Sequence, residues 1–204
     1  MQALQPEQLS LLSFSAGLAI IETIEILIPE LITVPMLKWP NDVLIYDRKV
    51  SGILCEMRSS VPTTVVVGIG LNLAATFDKS VLNSDANPIS LHEVVAIVPD
   101  DLTVLECLRQ CLLRQVGQID SQIDSQIDSQ ALIQQVRSRD ALYGRSLEFE
   151  QPNGRRIVGI GRGIHSSGEL LIEGTDGQIT PYRSGRVILD IRSSHQRSIR
   201  LPQN

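Results

Sequence analysis

Lys38-Trp39-Pro40-Asn41-Asp42, followed by Arg48-Lys49-Val50-Ser51-Gly52-Ile53-Leu54, sets two lysines, an amide, a carboxylate and a glycine inside an apolar frame. Leu37, Val43, Leu44, Ile45, Val50, Ile53 and Leu54 supply that frame. Lys and Asp are seldom buried unless paired. Charges at the ends of apolar strands therefore predict a charged pocket and not a solvated face.

Outward from this stretch, residues 7–28 have the apolar spacing of a helix, with Pro6 near the first turn and small residues at Ser13, Ser15, Ala16 and Gly17 suited to close packing. Four strands are expected at 33–39, 43–46, 50–58 and 63–71, with Asp47-Arg48 as the tight connection between the second and third. Val65-Val66-Val67-Gly68-Ile69-Gly70-Leu71 is apolar at every position, which predicts a central strand. Glycine within a strand marks a place where a ligand or another backbone comes close.

Residues 73–100 read as loop with one helical turn around 91–97, and 102–142 as helix. Within that helix Gln-Ile-Asp-Ser occurs three times from Gln118, stacking Asp120, Asp124 and Asp128 on one side. The loop glycine and closing glutamate of a calcium loop are absent there, so the repeat reads as a duplicated helix segment. After Tyr143-Gly144, five short strands are expected at 146–150, 156–164, 169–173, 178–182 and 187–191, separated by turn residues. The expected organisation is an α/β (α+β) domain over 1–142, built on a mixed sheet with packing helices, a small SH3-like β-barrel over 143–192 and a disordered tail over 193–204.

The bulk properties narrow the function. A formal charge of −5 disfavours phosphate-backbone binding, and 3% aromatics leave little for stacking bases, so no nucleic-acid partner is expected. No apolar run approaches the ~20 residues of a membrane span, because Glu22 and Glu25 interrupt the longest one. No membrane partner is expected either. Three cysteines without framework spacing suit a reducing cytoplasm, and Cys107 and Cys111 read as buried thiols.

Lys49 is a candidate ammonium for a carboxylate or phosphate oxygen, against the ordinary reading of a solvated turn lysine. Asp42 alone reads as an ordinary turn or cap residue, and its joint setting with Lys49 is what points to a charged pocket. Asn72 ends the glycine strand and has the donor and acceptor needed for a purine edge. Gly68-Ile69-Gly70 lacks the third glycine of a dinucleotide fingerprint. None of His92, His165 and His195 stands in a nucleophile context, which disfavours a triad hydrolase.

The three blocks Lys38-Trp39-Pro40-Asn41-Asp42, Arg48-Lys49 with Gly52-Ile53-Leu54, and Val67-Gly68-Ile69-Gly70-Leu71-Asn72 resemble the core of a biotin protein ligase in order and spacing. Gly161-Arg162-Gly163-Ile164 with Gly168-Glu169-Leu170-Leu171-Ile172 is similar to the small C-terminal barrel of bacterial members. The resemblance implies ATP and biotin as substrates, magnesium, and formation of biotinyl-5'-AMP. It also implies transfer of biotin to a lysine of a biotin carboxyl carrier protein, a subunit of acetyl-CoA carboxylase. By the same match Lys49 contacts the biotin carboxylate and then the α-phosphate, and Asp42 assists magnesium or the incoming amine. Asn72 holds adenine, and Lys38 and Asn41 support the phosphate side. Ser51, Gly52, Ile53 and Leu54 line the biotin tail, with Gly68 and Gly70 beside them. A homodimer is compatible with the family.

Members of that family carry an arginine- and glycine-rich loop ahead of the first helix, and before it a Ser/Thr-rich strand for the ureido ring. Neither occurs in this sequence, nor does a helix-turn-helix. The expectation is an α/β sheet incomplete at its N-terminus, with an exposed apolar edge. A non-catalytic remnant or interaction module is the alternative function, and a lipoate-type acyltransferase a more distant one.

Overall fold

The computed structural model describes residues 6–58, 64–78, 87–120 and 126–189. Helix α1 (Pro6–Leu27) is followed by β1 (Met36–Lys38), β2 (Asp42–Ile45), β3 (Arg48–Arg58) and β4 (Thr64–Leu71), which pair antiparallel in that order. Helices α2 (Asp101–Asp120) and α3 (Gln126–Ser138) come next. A second antiparallel sheet follows, of β5 (Ser146–Glu150), β6 (Arg156–Ile164), β7 (Leu170–Gly174), β8 (Ile179–Tyr182) and β9 (Arg186–Leu189), in the order β8-β7-β6-β5-β9.

Helix α1 is the spine of the core. Ala16, Ala19, Ile20, Ile21 and Ile24 are buried against the first sheet, α2 and α3, and burying each isoleucine contributes about 1.5–3 kcal/mol. Its stretch Leu9–Leu27, with mean hydropathy 1.6, is long and apolar enough to cross a membrane, contrary to the expectation from its two glutamates. Here it is a core helix, and both charges are met by cations. Arg114 pairs with Glu22 at 2.9 Å and Arg139 with Glu25 at 2.8 Å.

Five expectations are revised. The first sheet, expected to be mixed, is antiparallel throughout among the described residues, because its successive strands are joined by short connections. The glycine strand β4 is an edge strand among the described residues: Val65, Val67, Ile69 and Leu71 are half-buried, while Val66, Gly68 and Gly70 are exposed. Its continuous apolar run imitates a doubly covered strand, yet only one face has a cover. The first strand is shorter, since Thr33 takes a left-handed φ of 67° and donates its N–H to Glu25. The β2–β3 turn lies one residue earlier, at Tyr46-Asp47, where φ values of 50° and 62° give the paired left-handed geometry of a tight hairpin. The helix expected to run to 142 ends at Ser138, and residues 121–125 between α2 and α3 lie outside the described residues. Side chains of the Asp120, Asp124 and Asp128 column, and the tail at 193–204, lie outside the described residues.

The two sheets meet at the end of α3. Leu37 receives a backbone hydrogen bond from Ala141 and gives one to Arg139, both at 2.7 Å, while Arg137 Nε donates to the Ile164 carbonyl at 2.7 Å. Asp140 is buried at this junction. Its Oδ1 accepts from the Leu142 N–H at 2.8 Å, and Oδ2 has no hydrogen-bond partner. Burial pushes its carboxyl up to about 6.

The unfolded chain releases that proton near the ordinary aspartate value of about 3.9, so the folded state binds more protons between the two values. Stability must therefore fall as pH rises from about 4 through about 6, with the full penalty above it. Asp140→Asn, which keeps the acceptor for Leu142, should add about 2 kcal/mol to the unfolding free energy near pH 7.5 and nothing near pH 4. Urea unfolding at the two pH values measures this; an equal gain at both would show that charge is not the cause.

Candidate functional site

Antiparallel pairing places Lys38 opposite Asp42, Asp42 opposite Gly52, and Gly52 opposite Gly70. Directly opposed residues point to the same side of a sheet. These four form one row across all four strands, on the face away from α1. Leu54, opposite Gly68, continues the same face one pleat further along and is 60% exposed. The result is a shelf floored by glycine backbone, walled by Leu54 and ended by charged residues.

The charged end is made by a bulge. The β2–β3 register shifts between Val43 and Leu44, so that Leu44 faces Lys49 while Asp42 still faces Gly52. The Lys49 side chain lies back over Gly52, with Cε and Nζ each 2.9 Å from where a Cβ on Gly52 would stand. There its ammonium forms an ion pair with Asp42 Oδ1. The lysine side chain is 47% exposed and the aspartate 17%, so the pair opens upward onto the shelf. A half-desolvated ammonium beside an apolar, glycine-floored slot suits an anionic head on an apolar tail.

Lys49 is held in place from below. Its N–H donates to the Asn87 carbonyl at 2.8 Å and its carbonyl accepts from Ile89 N–H at 2.9 Å. That segment is fixed in turn by a capping box, with Ser90 N–H donating to Glu93 at 2.9 Å, and by Arg48, which donates to the Pro88 carbonyl and to Glu93. The Ser90 N–H and the Arg48 guanidinium hold the Glu93 carboxyl below the usual carboxylate range. Sequence reasoning missed this clamp, although Ser90-x-x-Glu93 is a readable capping signal.

Other expected site residues are placed differently. Ser51 is buried on the α1 side, donating to the Gly70 carbonyl at 2.6 Å, and Ile53 is buried on that same side, near Gly17. Strand alternation forbids four consecutive residues from lining one slot, so only Gly52 and Leu54 face the shelf. Asn41 joins β2 to β3: its Nδ2 donates to the Ile53 carbonyl at 2.7 Å, and its own carbonyl accepts from Ile53 N–H at 2.9 Å. Asn72 Nδ2 donates to the Lys49 and Ile89 carbonyls at 3.3 and 3.1 Å, which ties the end of β4 to the Lys49 clamp.

Among the described residues no group of three or more His, Cys, Asp or Glu comes together as a metal site. His165 Nδ1 lies 2.5 Å from Ser167 Oγ, which donates to Glu169 at 2.7 Å. The serine sits between the other two, so the histidine is not oriented as a base and no triad forms.

Around Gly70 a Cβ would meet only the Gly52 carbonyl at 4.0 Å, and around Gly68 the Leu54 carbonyl at 3.7 Å. Packing does not require these glycines. Gly70→Ala should leave the urea midpoint unchanged or raise stability by about 0.5 kcal/mol, as expected for removing a strand glycine. A loss above about 1 kcal/mol would mean that a wall stands over the shelf.

Residues 2–72 match the Biotin/lipoate A/B protein ligase family. The chain is 29% identical over 177 residues to a biotin–[acetyl-CoA-carboxylase] ligase of Mycobacterium tuberculosis, covering 87% of this chain and 61% of that protein. It is 32% identical over 149 residues to the ligase of the same name from Paracoccus denitrificans, covering 71% of this chain and 60% of that one. The chain thus spans about three fifths of the length of these curated relatives. The fold is like that of the biotin protein ligase of Aquifex aeolicus solved with biotin and ATP, at a TM-score of 0.72 and 23% identity over 88% of this chain and 70% of that one. In its N-terminal third the chain is thus similar to the Biotin/lipoate A/B protein ligase family, and over most of its length to biotin–[acetyl-CoA-carboxylase] ligases.

Proposed function

We propose that this chain forms the carboxylate- and phosphate-handling part of an ATP-dependent biotin–protein ligase. The observation that carries the reading is the Asp42–Lys49 pair at the end of a glycine-floored shelf. An apolar acyl tail with a terminal carboxylate lies along Gly52, Gly68 and Gly70 beside Leu54, and its carboxylate reaches Lys49. One carboxylate oxygen attacks the α-phosphorus of ATP, the bond to the β-phosphate oxygen breaks, and pyrophosphate leaves with biotinyl-5'-AMP formed. A lysine amine of the acceptor then attacks the acyl carbon, AMP leaves with the bonding electron pair, and the amine proton is lost.

Neither step needs an enzyme nucleophile. Lys49 would neutralise charge first on the carboxylate and then on the phosphate, while Asp42 holds that ammonium in place and faces the incoming amine. Magnesium would come with ATP, since it is usually bound by one or two carboxylates plus substrate phosphates and keeps several waters. Asp42 is the carboxylate on the shelf suited to share it. Asn72 supports the nucleotide end by fixing the Lys49 clamp. The acceptor on this reading is a biotin carboxyl carrier protein in the cytoplasm, and the outer side of β4, the last strand of its sheet among the described residues, suits an extended segment of that partner. The catalytic part is proposed to run over 1–142 and an SH3-like C-terminal part over 143–192, which the meander β5–β8 with β9 returning to β5 supports.

The test is formation of biotinyl-5'-AMP from biotin and ATP, followed by mass spectrometry. Because the shelf is open to water, the expected rate is low, and Lys49→Ala should reduce it about 100-fold, the scale of losing one preorganised charged contact. Absence of biotinyl-5'-AMP above the uncatalysed background overturns the proposal. A Lys49→Ala rate equal to that of the parent would remove this lysine from the mechanism. Gly70→Val should raise the biotin KM while the protein stays folded, since its side chain would occupy the tail's place.

A further inference from the structure

Trp39 stands at the apex of the β1–β2 hairpin, in a three-residue turn closed by the Lys38–Asp42 pair. Its ring leaves the first sheet. It is 3% exposed, 6.0 Å from the Phe149 ring of β5, which in turn lies 4.7 Å from Tyr182 of β8. Its Nε1–H donates to the carbonyl of Gly168, in the β6–β7 turn, at 3.1 Å. Gly168 has a φ of 87° and packs on α1, so that a Cβ there would stand 3.1 Å from Ser10 Cβ and 3.4 Å from Phe14 Cε2.

The rest of the turn is held on other sides. Ser13 Oγ of α1 donates to the Pro40 carbonyl at 3.3 Å, and Asn41 is fastened to Ile53 on β3. Nothing in this arrangement touches the shelf. Yet Asp42 is the residue at which the turn ends and the row of shelf residues begins. The turn's apex is anchored in the second sheet.

We propose that Trp39 is a positioning residue: by plugging into the C-terminal sheet through Phe149 and the Gly168 carbonyl, it sets the place of Asp42 and hence of the Lys49 ammonium. The C-terminal sheet is then a working part of the site, although no residue of it lines the shelf. The link to catalysis rests on the ligase reading above; the positioning itself does not.

The test separates the two. Trp39→Phe keeps a ring against Phe149 but removes the donor to Gly168, and Gly168→Val pushes the β6–β7 turn away while retaining the only tryptophan of the chain as a fluorophore. Lys49 reactivity toward an acetylating reagent, mapped by peptide mass spectrometry, reads the Asp42–Lys49 pair without any substrate. Both variants should label Lys49 at least about threefold faster than the parent, and Gly168→Val should shift the tryptophan emission to the red. Val104→Ala, a buried truncation in α2 away from the turn, serves as the matched destabilised control and should label at the parent rate.

Labelling of Lys49 at the parent rate in both turn variants overturns the proposal, as does equally faster labelling in Val104→Ala. In the adenylation assay, Trp39→Phe should lower kcat about tenfold with the biotin KM within about twofold, because reacting groups and not the tail's slot are displaced. An unchanged kcat also overturns it. A parent protein that forms no biotinyl-5'-AMP refutes the ligase reading instead, and the labelling result still decides the role of Trp39.

Discussion

Helix α1 approaches the first sheet through Gly17, where a Cβ would collide with the Leu37 side chain and touch Ile53. This close approach commits one face of every strand. Leu37, Val43, Ile53 and the half-buried residues of β4 turn toward the helix, and the period of two in a strand sends their neighbours to the opposite face. The row Lys38, Asp42, Gly52 and Gly70 is the remainder of that division. A shift of one residue in any strand would put the charges under α1 and the apolar residues in water. The register is therefore specified by the core, and the site inherits its alignment from packing that contains no charged group.

The electrostatic part is built differently, from a local irregularity. Without the bulge at Val43/Leu44, strand alternation would send Lys49, three residues before Gly52, to the opposite face of the sheet. The bulge re-aims one long side chain, and the missing Cβ at Gly52 gives it a place to lie. The pair with Asp42 is half in water, so its Coulomb energy is modest and its contribution to fold stability small. Its value is geometric: the ammonium is held at one end of an otherwise apolar surface.

Much of this arrangement was legible in the amino-acid sequence. The motif order located Asp42, Lys49 and the glycine strand, and the turn residues after Tyr143 located five strands to within a residue or two. What was not legible depends on partners far along the chain. The apolar run of β4 reads as a buried strand because composition does not say how many faces are covered. Ser51 and Ile53 read as slot-lining because a motif is contiguous while a strand face is not. Asn41 and Asn72 look like ligand-binding amides, and only the fold shows their donors committed to the Ile53, Lys49 and Ile89 carbonyls. Nor could Asp140 be flagged from its neighbours in sequence, since its burial arises where the end of α3 meets both sheets.

Two kinds of glycine also divide this chain. In the C-terminal sheet, a side chain on Gly159 or Gly161 would run into the backbone at Glu173 or Leu142, so a replacement there damages the fold itself. On the shelf, a Cβ on Gly68 or Gly70 would make only ordinary van der Waals contact. In a cell, lesions of the first kind feed the unfolded population that chaperones and proteases remove. Lesions of the second kind leave a well-folded molecule that quality control has no reason to discard, so a copy with an obstructed shelf would persist at full abundance.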